Sequence, residues 1–437
     1  MIRNFRFYKN LSPVEKNTFF LHLLYSLIEG IVLGVVVLNE FVFVKSMKGS
    51  GYNLSLLFQF SVLALLFSIF LNEFLKRFRN KRKLLRVVAL ITRLPLLIMA
   101  FFPSDIGIIS ANLNYHYLFL GIFMFYYLAQ PVVLPLINLI LKANYRKENF
   151  GKLYSYTTMS NKIIMLLTTF FFGMILDVDY AAFRYVYPII GVLGVVSVHL
   201  LSSMRMMPDS DASKGHNMYI TFKHSLQNAW LILKRNRAYR DFEIGFMFYG
   251  IAFMSSAVII TIYFDKALHL NYTSAAFYKN FYNIIAILLL PLFGRLIGKL
   301  DPRKFAILTY FFMAANIFFV ALTEYFPYMA EFAGIKFFLF LATGYTFYGF
   351  FAASMPLLWE IGASYFCTAE EASDYQAIHL TLTGVRGLFA PLVGITLYQA
   401  TNFLSTYILS LVSLLIAIAI MYYSMKKTEL PVLAVKH

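Results

Sequence analysis

Four ionisable side chains interrupt otherwise apolar stretches of this 437-residue chain: Glu29, Arg93, Lys162 and Arg386. A charge placed in hydrocarbon costs about 2.5–3.5 kcal/mol on insertion scales, so such residues persist when they are paired or face water. Glu29 shares a helix face with Tyr25 (i−4) and His22 (i−7). A carboxylate in low dielectric holds its proton tightly, and a neighbouring cation loosens it. A movement that separates the two therefore exchanges a proton, which makes Glu29 the candidate coupling residue. The competing reading is a fixed ion pair with Lys162 or Arg386 that only holds helices together. Arg386 lies between Gly384 and Gly387, with His379 two turns earlier, and Lys162 follows Thr158 and Asn161. Two such cations favour an anionic ligand, because arginine binds carboxylate or phosphate through two parallel hydrogen bonds. Tyr126, Tyr127, Gln130, Tyr249, Tyr345 and Tyr348 complete the candidates, as rings that stack on a solute and polar groups that orient it.

The elements that carry these residues follow from composition. The chain is 60% hydrophobic and 14% charged, too apolar for a soluble core. About 20 apolar residues cross a bilayer, and about twelve such stretches occur: 18–44, 53–75, 84–102, 116–141, 153–176, 185–206, 241–264, 276–299, 304–322, 335–358, 376–399 and 403–424. This predicts an all-α membrane protein with an N-terminal six-helix bundle (1–206), a polar linker (207–240) and a C-terminal six-helix bundle (241–437). Counted at about 1.5 Å per residue, the four ionisable residues fall about 9–11 residues into their spans, near one depth. Pro131, Pro135 and Pro356 are expected to kink their helices.

Lys and Arg cluster in alternate loops, including Lys76 to Arg86, Lys142 to Lys152 and the linker. The positive-inside rule then puts both termini in the cytoplasm of an inner-membrane protein. The net charge of +17 is read as that bias, with membrane lipid and not nucleic acid as the partner. One loop departs from the pattern: Glu360, Glu370, Glu371 and Asp374 lie together without Lys or Arg. They are expected to pair with Lys76 to Arg86 or with Arg146 and Lys147 when the inner side closes. The start of the chain does not read as a removable signal peptide. The single cysteine, Cys367, excludes an intramolecular disulfide. No phosphate loop, zinc-ligand spacing or nucleophile elbow occurs, so no cofactor, metal or enzyme activity is expected.

Shifting the sequence by 221 residues superposes the first six spans on the last six. Tyr127 meets Tyr348, Pro135 meets Pro356, Gly173 meets Gly394, and Arg82-Lys83 meets Arg303-Lys304. The stretch from Gly294 to Lys304 resembles the loop motif G-x-L-x-D-R-x-G-x-R-K of the major facilitator superfamily. Gly294, Leu296, Lys299, Arg303 and Lys304 fit, while Gly298 and Asp301 depart from it. The first-half copy keeps only Lys81, Arg82 and Lys83. Gly384 to Gly394 resembles the glycine/proline signature of that family's antiporters, but lies in the eleventh span where theirs lies in the fifth. The resemblance implies two pseudo-symmetric bundles around a central cavity lined by spans one, four, seven and ten, with the third span and its Arg93 towards the periphery, which gives Arg93 a structural role. It also implies alternating access of a small solute. A monomer is expected, and the Glu29 argument adds protons as the coupling species; export or flipping of amphiphiles is the alternative.

Overall fold

The computed structural model describes residues 11–60, 62–63, 80–206, 227, 229–367 and 371–428. The first span is α1 (Pro13–Val36) followed, after a two-residue turn, by α2 (Asn39–Lys45). A helical segment covers 51–60; most of the expected second span lies outside the described residues. The third span is α3 (Lys81–Arg93) continued by a 3₁₀ stretch, Leu94–Phe101. Pro95 removes one backbone donor there and cannot continue the α ladder. The short α4 (Ile106–Ala111) leads to α5 (Leu113–Tyr127) and α6 (Gln130–Asn144), which together form the fourth span. That span breaks at Leu128 and Ala129, just before Pro131. Then come α7 (Lys147–Val178) and α8 (Phe183–Ser202). The later spans are α9 (Arg237–Lys266), α10 (Tyr272–Ile297), α11 (Pro302–Tyr325), α12 (Leu339–Ile361), α13 (Ala372–Ala400) and α14 (Phe403–Lys427). Among the described residues, ten helices are long and apolar enough to cross a membrane.

The helix starts are written in the sequence. Ser12 and Glu15 form a reciprocal capping box at α1. Asn80, Asn236, Asn271, Asp301 and Asn402 each cap the helix that follows, accepting from a backbone N–H of its first turn. Such a cap stabilises a helix by about 1 kcal/mol.

One element departs from the all-α expectation. Residues 335–338, placed at the start of the tenth span, form a strand, β2 (Ile335–Phe338), paired antiparallel with β1 (Met329–Phe332). Ala333 and Gly334 both have positive φ, 50° and 76°, the backbone of a two-residue hairpin turn whose twist matches its strands.

Contacts divide the chain into two compact units, residues 1–49 with 64–214, and residues 50–63 with 215–437. The segment 50–63 therefore groups with the second unit: Ser55 Oγ donates to the Pro391 carbonyl and Gln59 Nε2 to the Leu388 carbonyl. Within the first unit α1 packs on α7 and α8; within the second, α9 packs on α13 and α14. The 221-residue offset relates the two contacts in detail. Thr169 Oγ1 donates to the Gly34 carbonyl across α1 and α7, and Ser255 Oγ donates to the Ala390 carbonyl across α9 and α13. A Cβ on Gly34 would sit 2.6 Å from the Met165 carbonyl oxygen, and one on Gly394 2.7 Å from that of Ser255. Small residues at such crossings let backbones touch, which is how membrane helices gain packing without a hydrophobic drive.

Candidate functional site

In the first unit the chemistry centres on Glu29, which is buried on α1. Its carboxylate accepts a hydrogen bond from Ser197 Oγ of α8 at 2.5 Å, and Arg93 Nη2 lies 3.5 Å from the same oxygen. The sequence pointed to Lys162 or Arg386 as the partner; the ion pair is made by Arg93 instead. Arg93 is 6% exposed and not peripheral. Gly191 and Gly194 of α8 explain this: a Cβ on Gly191 would press on the Arg93 backbone and one on Gly194 on its side-chain stem. The third span thus approaches α8 closely enough to deliver its arginine to Glu29. The guanidinium carbon lies 4.2 Å from the centroid of the Tyr126 ring, a cation–π contact. Arg93 Nε and Nη1 have no hydrogen-bond partner among the described residues.

The other first-unit candidates surround this pair. Tyr25 is half-buried one turn before Glu29 and stacks on His22. His22 shares a 3.2 Å hydrogen bond with the Tyr145 hydroxyl. Burial, and secondarily the Glu15 carboxylate, push the Tyr145 phenol far above its ordinary range, so it stays protonated. Tyr127 accepts from Asn39 Nδ2 of α2. Asn161 Nδ2 donates to the Ser26 carbonyl, tying α7 to α1. Gln130 is half-buried at the start of α6. Lys162 is half-buried, and among the described residues it has no hydrogen bond or ion pair.

The second unit holds a separate polar cluster. Arg386 of α13 is 3% exposed. Its Nη1 donates to the Phe246 carbonyl, and its guanidinium lies over the rings of Phe246 and Tyr249. It occupies the space left by Gly250 of α9, where any Cβ would collide with it. Gly250 is the repeat counterpart of Glu29. Tyr249 stacks on Tyr310 of α11, 5.2 Å between centroids and 7° between planes. His379 Nδ1 pairs with Glu243 of α9 at 3.0 Å. Sequence reasoning missed Glu243, Ser197 and Tyr310; Glu243 lies close to the start of its span, where a charge is ordinary. Tyr345 is buried against Tyr278 and Tyr282, and Tyr348 packs edge-on against Tyr282.

The loop motif is partly structural. Arg303 is buried: it bonds Asp301, and its Nη1 reaches Ser424 and Thr428 at the end of α14. Its counterpart Arg82 is exposed and reaches the Met204 carbonyl beyond α8. Lys83, Gly294, Lys299 and Lys304 are exposed. In the acidic loop, Glu370 lies outside the described residues, and Asp374 is described only as part of α13. The ion pair that the structure records for Glu371 is with Arg235, at 2.5 Å. Arg235 ends the linker on the same unit, so this pair forms locally.

The sequence model of the major facilitator superfamily matches residues 18–366. The chain belongs to that superfamily. It is therefore a multi-pass membrane protein of a transporter fold. No curated protein sequence matches it. Solved members of the superfamily share the fold at low identity. The nucleoside transporter NupG is 14% identical, with a TM-score of 0.64 over 96% of this chain and 100% of that one. The peptide transporter POT in complex with sulfate is 10% identical, with a TM-score of 0.69 over 93% of each chain. The xylose transporter XylE from E. coli, inward-open, is 13% identical, with a TM-score of 0.62 over 95% and 96%.

Proposed function

We propose that the protein is a secondary active transporter that moves a small organic solute across the cytoplasmic membrane by alternating access. It works as a monomer with both termini cytoplasmic, and it is driven by protons through Glu29. The observation that carries this reading is the form of the Glu29–Arg93 pair. A buried pair that serves only rigidity needs close geometry and full hydrogen bonding to offset its desolvation. This one has a single 3.5 Å contact and leaves two guanidinium nitrogens unbonded among the described residues. It also sits where α3 changes to a 3₁₀ turn, a feature common at hinges. Separating Arg93 from Glu29 leaves a buried carboxylate that takes up a proton.

Lys162 supports an anionic group on the solute: it is a half-buried cation near Glu29 in sequence depth with no partner among the described residues. Likeness to nucleoside, xylose and peptide transporters supports a small polar solute. The Tyr278, Tyr282, Tyr345 and Tyr348 cluster favours the second reading, an exporter or flippase of amphiphiles. Thermal stability of the purified protein against carboxylates, phosphates, sugars, nucleosides, peptides and lysolipids separates the two. A ligand at about 100 times its Kd adds about 2.7 kcal/mol. Stabilisation by anions that Lys162→Gln removes supports the first reading; stabilisation by amphiphiles alone overturns it.

A further inference from the structure

The second unit contains a titratable pair that the Glu29 mechanism does not use. Glu243 and His379 are both buried, at 3% and 1% exposure. His379 Nδ1 lies 3.0 and 3.2 Å from the two carboxylate oxygens. The imidazole is walled by Phe246, edge-on at 4.6 Å, and by Phe242 and Trp359. Its second nitrogen, Nε2, has no hydrogen-bond partner among the described residues. Two further buried polar atoms on α13 share that condition: Thr383 Oγ1 and Arg386 Nε. Positions 379, 383 and 386 follow the i, i+4, i+7 spacing of one helix face. The unbonded atoms therefore lie along one face of α13, between about 10 Å and about 21 Å from its N-terminal end. The Tyr310 hydroxyl of α11 is a fourth buried, unbonded polar atom, beside Arg386.

Among the described side chains, the charges of the cluster balance in one protonation state. Glu243 carries one negative charge and Arg386 one positive. Among the described side chains, the remaining titratable groups around the pair are the phenols of Tyr239, Tyr249, Tyr310 and Tyr375 and the thiol of Cys367, neutral near pH 7. With His379 neutral the cluster has no net charge. With His379 protonated it is cationic, and the imidazolium is held by Glu243 but opposed by Arg386. Imidazole is the side chain whose charge changes nearest physiological pH. The repeat adds a further observation. Glu243 is the 221-residue counterpart of His22, so the same place in each half carries a titratable group, bonded to Tyr145 in one and to His379 in the other.

We propose that the Glu243–His379 pair is a second proton site of the transport cycle, with the unbonded Nε2 of His379 as the atom that takes up and gives up the proton. One proton enters or leaves at each turnover. Loaded, it rests on the imidazole, whose Nδ1–H donates to the Glu243 carboxylate. Unloaded, that proton has passed to water on the side to which the bundle is open, leaving a neutral imidazole and an unchanged carboxylate. The proposal rests on the reading of the protein as a proton-coupled carrier, but not on Glu29 being its coupling residue.

pH-difference infrared spectroscopy of the full-length protein in liposomes tests it without a solute, with ring-¹⁵N histidine marking imidazole bands. The expected result is an imidazole band that changes with pH and is lost in His379→Gln. In Glu243→Gln the midpoint of that band moves by at least about one pH unit. An unchanged histidine titration in His379→Gln overturns the proposal. So does a His379 band whose midpoint is the same with and without Glu243. Should Glu243→Gln not fold, the comparison of parent with His379→Gln decides alone. Glu29→Gln in the same assay tests the first reading separately. If it removes a titrating carboxyl band while no band belongs to His379, the second site fails and Glu29 coupling stands. If the His379 band is present and Glu29→Gln removes nothing, the second site stands and Glu29 is not the coupling residue.

Discussion

Replacing Arg93 with methionine keeps much of the aliphatic stem but removes the cation facing Glu29. The carboxylate would then be left, 6% exposed, with Ser197 as its hydrogen-bond donor. Removing one partner of a buried pair costs about 3–5 kcal/mol. The single 3.5 Å contact puts this pair at the lower end, and loss of the cation–π contact with Tyr126 adds to it. About 3 kcal/mol at pH 8 is expected, which lowers the melting temperature by about 6–12 °C for a unit of this size. The loss should shrink towards acid pH, because the stranded carboxylate escapes by binding a proton. Adding Glu29→Gln removes the charge itself, and replacing both partners of a buried pair is often nearly neutral. The double variant should therefore recover most of that loss at pH 8, short of the cation–π contact with Tyr126, and its melting should differ from the parent's by the same small amount at both pH values. Melting curves in mild detergent for the parent, both single variants and the double variant, at pH 5 and pH 8, measure this. Arg93→Met as stable as the parent at pH 8 would refute the argument. So would a double variant as unstable as Arg93→Met alone, since the cost would then lie in packing and not in charge.

Gly250→Ala should expel Arg386 from its nest against α9; the structure gives the added methyl no room, so a melting loss of about 1–3 kcal/mol is expected, and an unchanged melting curve would show that Arg386 is placed elsewhere. Arg303→Ala removes the bonds that fasten the end of α14 and strands Asp301; protease cleavage after α14 should become at least several-fold faster, while Lys304→Ala, at an exposed position, leaves it unchanged. Burial, and then the Glu371 charge, push the Cys367 thiol up to about 11, so at neutral pH it holds roughly a hundredfold less thiolate than an ordinary thiol. Maleimide labelling should accordingly rise with pH well past 9, and Glu371→Gln should speed it at pH 7; labelling as fast as that of a free thiol would contradict the burial.

The span pattern was legible because twenty apolar residues leave few alternatives to a membrane helix, and because caps such as Asn80 and Asn271 mark where helices restart. The hairpin at 329–338 was not, since Ile335 to Phe338 is apolar enough to extend the tenth span. What betrays it is the Ala333-Gly334 turn. Glu29 stood out by depth, and depth does not depend on packing. Its partner did depend on packing. Lys162 and Arg386 have the same depth as Arg93, and the choice turns on which helix faces carry glycine. Gly191 and Gly194 admit Arg93 to Glu29, and Gly250 admits Arg386 to α9. Reading glycines as receivers for buried arginines on neighbouring spans would have found both. Glu243 was hidden for another reason: near a helix start a carboxylate is commonplace, and only the His379 contact shows that it is buried.

The central claim is that protons drive solute movement through Glu29, and uptake into liposomes tests it most directly. With the solute found in the stability panel, the parent should accumulate it above equilibrium when a pH gradient is imposed, and should only equilibrate it without one. Glu29→Gln should fold and bind the solute but lose the pH-driven accumulation. Undiminished uphill uptake by Glu29→Gln, or accumulation by the parent that ignores the gradient, would contradict the account.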